Sequence, residues 1–185
     1  MNDKCLLLID FEEEWQNRDS KYYLGDFSDR LKNARRLLDA FREKDLMVIF
    51  TKHITPDSKT SFVPGSKNVK IIEYLKPLNK EKVIIKNRIS PFFKTDLEEH
   101  LRQNHITELF ICGIMTNLCV RSAVSDAYDR DFKIVLIKDA CVSDSEATDK
   151  FTFKDIKMTR PEVDILTTSR AIKLLKNGAN QTKNF

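Results

Sequence analysis

Six short, almost unbroken apolar runs punctuate the chain: CLLLID (5–10), LMVIF (46–50), KVIIK (82–86), LFICG (109–113), KIVLI (133–137) and VDIL (163–166). Strands in the middle of a parallel sheet are covered on both faces, so they read as continuous apolar runs and not as an alternation. Between the first two runs, Phe27, Leu31, Ala34, Leu37, Leu38 and Phe41 recur at three- and four-residue steps, on one face of an amphipathic helix. Weaker helical patterns cover 94–104, 117–130, about 144–157 and 168–176. This order predicts an α/β fold: a doubly wound, mostly parallel six-stranded sheet, Rossmann-like, with helices on both faces. The stretch 52–69 has no period and holds Pro56, Pro64 and Gly65, so it reads as a long loop after the second strand.

A chain of 185 residues is sized for one domain with one core, here 1–185 with 177–185 as a polar, frayed tail. The net charge of +4 comes from basic residues interleaved with acidic ones, which describes solvated faces and no nucleic-acid stripe. The apolar run at the N-terminus stops at Asp10, too short for a membrane span or a signal-peptide core. Cys5, Cys112, Cys119 and Cys141 form no C-x-x-C pair, so they are expected to be free thiols of a cytoplasmic protein.

In open sheets of this kind, ligands bind beyond the carboxyl ends of the strands. Those ends carry Asp10, Lys52 and His53, Lys86, and the turn 113–119. No glycine-rich phosphate loop follows any strand, which excludes a dinucleotide or nucleotide fingerprint. Cys119 falls in the first turn of a predicted helix, with Thr116 or Asn117 as its N-cap. A helix entrance and a nearby ammonium such as Lys86 lower a thiol's pKa, and Asp10 is placed to take and return a proton. On the residues alone, two bland readings stay open: Asp10 as the cap of the next helix, and Lys86 as one solvated lysine among many.

GIMTNLCVRSAVSDA (113–127), KNRISPFFKTDLEEHLR (86–102), LLLIDF (6–11), FVPGS (62–66) and IKDA (137–140), in this order, resemble the isochorismatase-like cysteine hydrolases over about residues 4–168. That family includes nicotinamidases, N-carbamoylsarcosine amidohydrolase and ureidoacrylate amidohydrolase. The resemblance implies that Cys119 attacks, Asp10 shuttles the proton and Lys86 orients and stabilises charge. It also implies a cis peptide between Ile114 and Met115, which aims the N–H groups of Met115 and Cys119 at an oxyanion. His53, Phe62, Arg88 and Phe92 are candidate pocket residues, Arg88 as a partner for a substrate carboxylate.

Nicotinamidases carry an Asp-x-His pair and a further histidine as metal ligands; here the segment is Thr51-Lys52-His53, and no metal or other cofactor is expected. The family's Asp-x-Gln is Asp10-Phe11-Glu12, and Glu12, Glu13 and Glu14 read as a solvated helix start. The expected activity is hydrolysis of a C–N bond in a small amide or ureide, by a homo-oligomer (dimer or tetramer) with a small-molecule substrate and no nucleic-acid or membrane partner. Two alternatives stay open: vinyl-ether hydrolysis with Asp10 as the acid, and a non-catalytic ligand-binding or scaffold role.

Overall fold

The computed structural model describes residues 3–178. Its order is β1 (Lys4–Ile9), α1 (Ser28–Glu43), β2 (Met47–His53), β3 (Lys82–Lys86), α2 (Leu97–Gln103), β4 (Glu108–Ile114), α3 (Arg121–Tyr128), β5 (Lys133–Val142), α4 (Glu146–Thr159), β6 (Asp164–Leu166) and α5 (Thr168–Gly178). The strands form one sheet in the order β3-β2-β1-β4-β5-β6, and every neighbouring pair is parallel. Chain direction across the sheet therefore reverses between β1 and β4. By the right-handed rule, α1 lies on one face and α2, α3 and α4 on the other. α5 returns to α1, where Arg36 donates to the Ser169 hydroxyl at 3.1 Å.

Each predicted apolar run is a strand, and β1 is buried along its length after Lys4. The helical stripe is the buried face of α1: Leu31, Ala34, Leu37, Leu38 and Phe41. Phe41 meets Phe110 of β4 edge to face, with ring centroids 5.2 Å apart. Some boundaries differ from expectation. β2 continues to His53, into the stretch read as a loop; the rest of the crossing from β2 to β3 carries only short 3-10 turns at Lys67–Val69 and Glu73–Leu75. Pro56, Pro64 and Pro77 punctuate this segment and deny it a helical run. It folds back over the end of β1, where Ile72 donates to the Phe11 carbonyl and Glu13 to that of Lys70, both at 2.9 Å.

β5 runs on to Val142 through an irregularity: two steps of β4, Ile111 to Gly113, face five of β5, Leu136 to Cys141. Asp139 within it accepts the Thr168 N–H and hydroxyl at 2.7 and 2.8 Å, tying the start of α5 to the sheet. At the C-terminal end α5 extends through Gly178, so 177 and 178 are helical; the rest of the expected frayed tail lies outside the described residues. No helix among the described residues is long and apolar enough to cross a membrane.

At the junction of β1 and β4 the backbones meet closely. Gly113 has φ of 149°, and a Cβ there would stand 2.2 Å from the Ile9 carbonyl oxygen and 2.5 Å from the Ile9 Cβ. Gly113→Ala is therefore expected to destabilise the fold by about 3 kcal/mol through overpacking against β1, measured by urea unfolding. An unchanged midpoint would show that the two strands can part at no cost.

Candidate functional site

Asp10 follows the last residue of β1, fully buried, with a left-handed φ of 50°. Thr51 of β2 braces it twice: the Thr51 hydroxyl donates to Asp10 Oδ1 at 2.5 Å, and the Asp10 N–H donates to the same hydroxyl oxygen at 3.1 Å. The Trp15 indole N–H donates to the Asp10 carbonyl at 2.8 Å. The side chain is thus held by a neighbouring strand and its backbone by the turn that follows.

Lys86 closes β3, and its ammonium lies 2.6 Å from Asp10 Oδ2, with neither side chain exposed to solvent. The same Nζ donates to the Arg88 carbonyl at 3.1 Å and approaches Cys119 Sγ at 3.4 Å. Burial works against the ammonium, but the Asp10 carboxylate and Cys119 outweigh it and hold Lys86 above the ordinary lysine value.

Cys119 sits in a wide, π-type turn, Thr116–Val120, that leads into α3. The Met115 carbonyl accepts from Leu118 and from Val120, both at 3.1 Å, the residues on either side of Cys119. The Ile114–Met115 peptide is cis. Neither Thr116 nor Asn117 caps this turn: the position before it is Met115, with no side-chain cap. Thr116 Oγ1 and Asn117 Oδ1 are instead buried without a hydrogen-bond partner among the described residues.

The acidity expected of Cys119 is reversed. Burial first, then the negative charge of Asp10, push the thiol up to about 12, with Lys86 pulling the other way. A buried thiol under the influence of a carboxylate keeps its proton, and the ammonium that would oppose this is shared with that carboxylate. Access is what sets Cys119 apart, since Cys5, Cys112 and Cys141 are buried and Cys119 is partly open.

The candidate pocket residues divide. His53 and Phe62 come together beside the ion pair, their rings edge to face at 5.2 Å. Phe62 also packs on Trp15 and Tyr22, each at 5.1 Å. Burial, then the Lys86 charge, lower the His53 pKa, which favours a neutral ring. Arg88 brings its carbonyl to Lys86, while its exposed guanidinium caps the Asn87 carbonyl at 2.8 Å and borders a surface cleft with Ile89, Phe93 and Asp126. Phe92 is buried elsewhere: its ring meets Phe132, just before β5 at the opposite end of the sheet, with the Arg130 guanidinium 5.0 Å above it.

The acidic run after Asp10 does open a short 3-10 turn, Glu13–Gln16, but it is not solvated. Glu12 and Glu14 are buried; Glu12 ties down the end of β2 and Glu14 the segment after it. Glu12 Oε2 accepts the His53 N–H at 2.9 Å; Glu14 accepts the Phe62 N–H at 3.3 Å and the Ser20 hydroxyl at 2.5 Å. Thr51 and Trp15, which brace Asp10, were invisible as site residues, because a hydroxyl and an indole beside apolar runs read as filler. The one available signal was Thr51's place at the end of the second apolar run, where a polar residue faces the ligand edge of the sheet.

Residues 4–170 match the family model described as the isochorismatase domain. A Bacillus subtilis protein described as an uncharacterized isochorismatase family protein, YddQ, is 32% identical over 140 residues, covering 75% of this chain and 77% of its own. The ureidoacrylate amidohydrolase RutB of Acinetobacter baylyi is 38% identical over 77 residues, 42% of this chain and 31% of that protein. The crystal structure of a cysteine hydrolase from Pseudomonas syringae superposes with a TM-score of 0.88, covering 95% of this chain and 93% of that one at 21% identity.

Iodoacetamide is expected to modify Cys119 ahead of the other three cysteines because of its access, at a rate still rising beyond about pH 10. A rate that levels near neutral pH would contradict the protonated resting thiol.

Proposed function

The chain belongs to the isochorismatase family, and from that premise we propose that it hydrolyses a C–N bond of a small amide or ureide through a thioester on Cys119. The observation that carries this reading is the single ammonium, Lys86 Nζ, lying 2.6 Å from the Asp10 carboxylate and 3.4 Å from the Cys119 sulfur. Three side chains, from the end of β1, from β3 and from the turn after β4, thus converge on one ammonium. The amidohydrolase among the relatives supports the bond type.

The resting thiol dictates the order of events. Free thiolate is scarce when the pKa stands near 12, so attack and deprotonation are coupled: Sγ bonds to the substrate carbonyl carbon as its proton passes to Asp10. Lys86 pairs with the Asp10 side chain before the transfer and faces the sulfur during it. The N–H groups of Met115 and Cys119 serve the developing oxyanion. Asp10 then returns the proton to the leaving nitrogen, the C–N bond breaks, and ammonia or an amine departs from the thioester. For deacylation a water gives a proton to Asp10 as its oxygen attacks the thioester carbon. The C–S bond breaks, Asp10 reprotonates the sulfur, and the carboxylic or carbamic acid leaves.

His53 and Phe62 form one wall beside the ion pair, and the four free thiols suit a reducing cytoplasm. Arg88 enters this scheme through its carbonyl, which fixes the Lys86 ammonium, rather than through its guanidinium.

The test is ammonia or amine release from a panel of small amides and ureides, with isochorismate alongside. Cys119→Ala is expected to lower turnover of the amide substrate by about a thousandfold or more. Turnover of isochorismate that survives Cys119→Ala, with no amide hydrolysed by the wild type, would replace this reading with vinyl-ether hydrolysis. Absence of any turnover would favour a binding role.

A further inference from the structure

Glu12 is a buried titratable group that the reaction above does not use. It is fully buried two residues beyond Asp10. Oε2 accepts the His53 N–H at 2.9 Å, whereas Oε1 is buried with no hydrogen-bond partner among the described residues. Lys86, a cation whose charge acts on Glu12, is already committed. Lys86 is ion-paired with Asp10 at 2.6 Å and directs N–H donors at the Arg88 carbonyl (3.1 Å) and Cys119 Sγ (3.4 Å).

The charged groups that act on Glu12 are Asp10 after β1, Lys86 of β3 and Lys52 of β2. Among the described residues none of them forms an ion pair with it. A carboxylate at this position would be a second anion beside Asp10, desolvated and without a counter-ion. A protonated carboxyl avoids that: it still accepts the His53 N–H and presents an O–H at the buried edge of the site.

We propose that Glu12 is a proton-bearing positioning residue: its carboxyl stays a neutral acid in the working protein, leaving Asp10 as the anion that faces Lys86 and Cys119, and loss of that proton shuts the site down. Ionised, Glu12 would draw on the Lys86 charge and place more negative potential on a thiol that must give up its proton. The loss of turnover rests on the hydrolase reading, whereas the held proton does not.

Burial first, then the Asp10 charge, push the Glu12 carboxyl up to about 9 from its ordinary 4.5. The folded state therefore binds a proton that the unfolded chain has released between those two values. Stability from this group is fully present below about 4.5, falls as pH rises through the window, and levels off above about 9.

Glu12→Gln keeps the shape and cannot ionise. Urea unfolding of both proteins across the window should show the wild-type folding constant falling, relative to Glu12→Gln, by up to about tenfold per pH unit. A ratio that stays flat with pH overturns the proposal. Infrared spectroscopy of the wild type gives an independent reading should the variant not fold. The carbonyl stretch of a buried protonated carboxyl should be present near neutral pH and vanish in alkali, and its absence near neutral pH overturns the proposal. In turnover, the ratio of Glu12→Gln to wild type should rise from neutral to alkaline pH, and a constant ratio removes the shutdown. If no amide or ureide is hydrolysed while the stability gap still changes with pH, the hydrolase reading falls and the held proton stands.

Discussion

The buried ion pair between Asp10 and Lys86 is the constraint around which the rest of the site is arranged. Removing two charges from water is expensive, and the attraction between them offsets this only when the remaining donors and acceptors are also satisfied. Here they are met from several directions: Thr51 binds the free carboxylate oxygen, the Arg88 carbonyl takes one ammonium proton, and Cys119 faces another. The pair joins the central strand β1 to the edge strand β3 across β2, so the chemistry and the sheet order cannot be separated. It also sets the state of the sulfur: because the ammonium is bound to the carboxylate, Cys119 waits as a thiol.

The sheet brings the third member into range. Direction reverses between β1 and β4, which opens a crevice at their carboxyl ends. Gly113 lets β4 approach the Ile9 carbonyl at that point, and the chain then passes through the cis Ile114–Met115 peptide into the wide turn that carries Cys119. On the other side, the segment between β2 and β3 closes over the end of β1, held by the buried Glu14 and by the edge-to-face contact of Phe62 with Trp15. The segment is thus held in part by an acidic residue that follows Asp10.

Much of this was legible in the chain. Apolar runs gave the strands because burial on both faces erases alternation, and the stripe from Phe27 to Phe41 gave α1 because one helical face meets the sheet. Asp10 and Lys86 stood out as charges at the ends of such runs, and the segment around Cys119 carried a family resemblance. Properties that depend on distant groups were not legible. The acidity of Cys119 follows from Asp10, more than a hundred residues away, and its local place at a helix entrance pointed the wrong way. The burial of Glu12 and Glu14 depends on backbone N–H groups of His53 and Phe62, so an acidic triplet read alone resembles a solvated turn. Phe92 lay next to site residues in sequence, but the chain after β3 carries it toward the far end of the sheet.

The most direct measurement of the central pair is a double-mutant cycle on Asp10→Asn and Lys86→Met, read by urea unfolding near neutral pH. Each single change should cost about 3–5 kcal/mol, because each leaves a buried polar or charged group without its partner. The double variant should cost less than the sum, with a coupling of about 2 kcal/mol. Losses that add to within about 0.5 kcal/mol would contradict the account, since they would mean that the two side chains do not depend on one another.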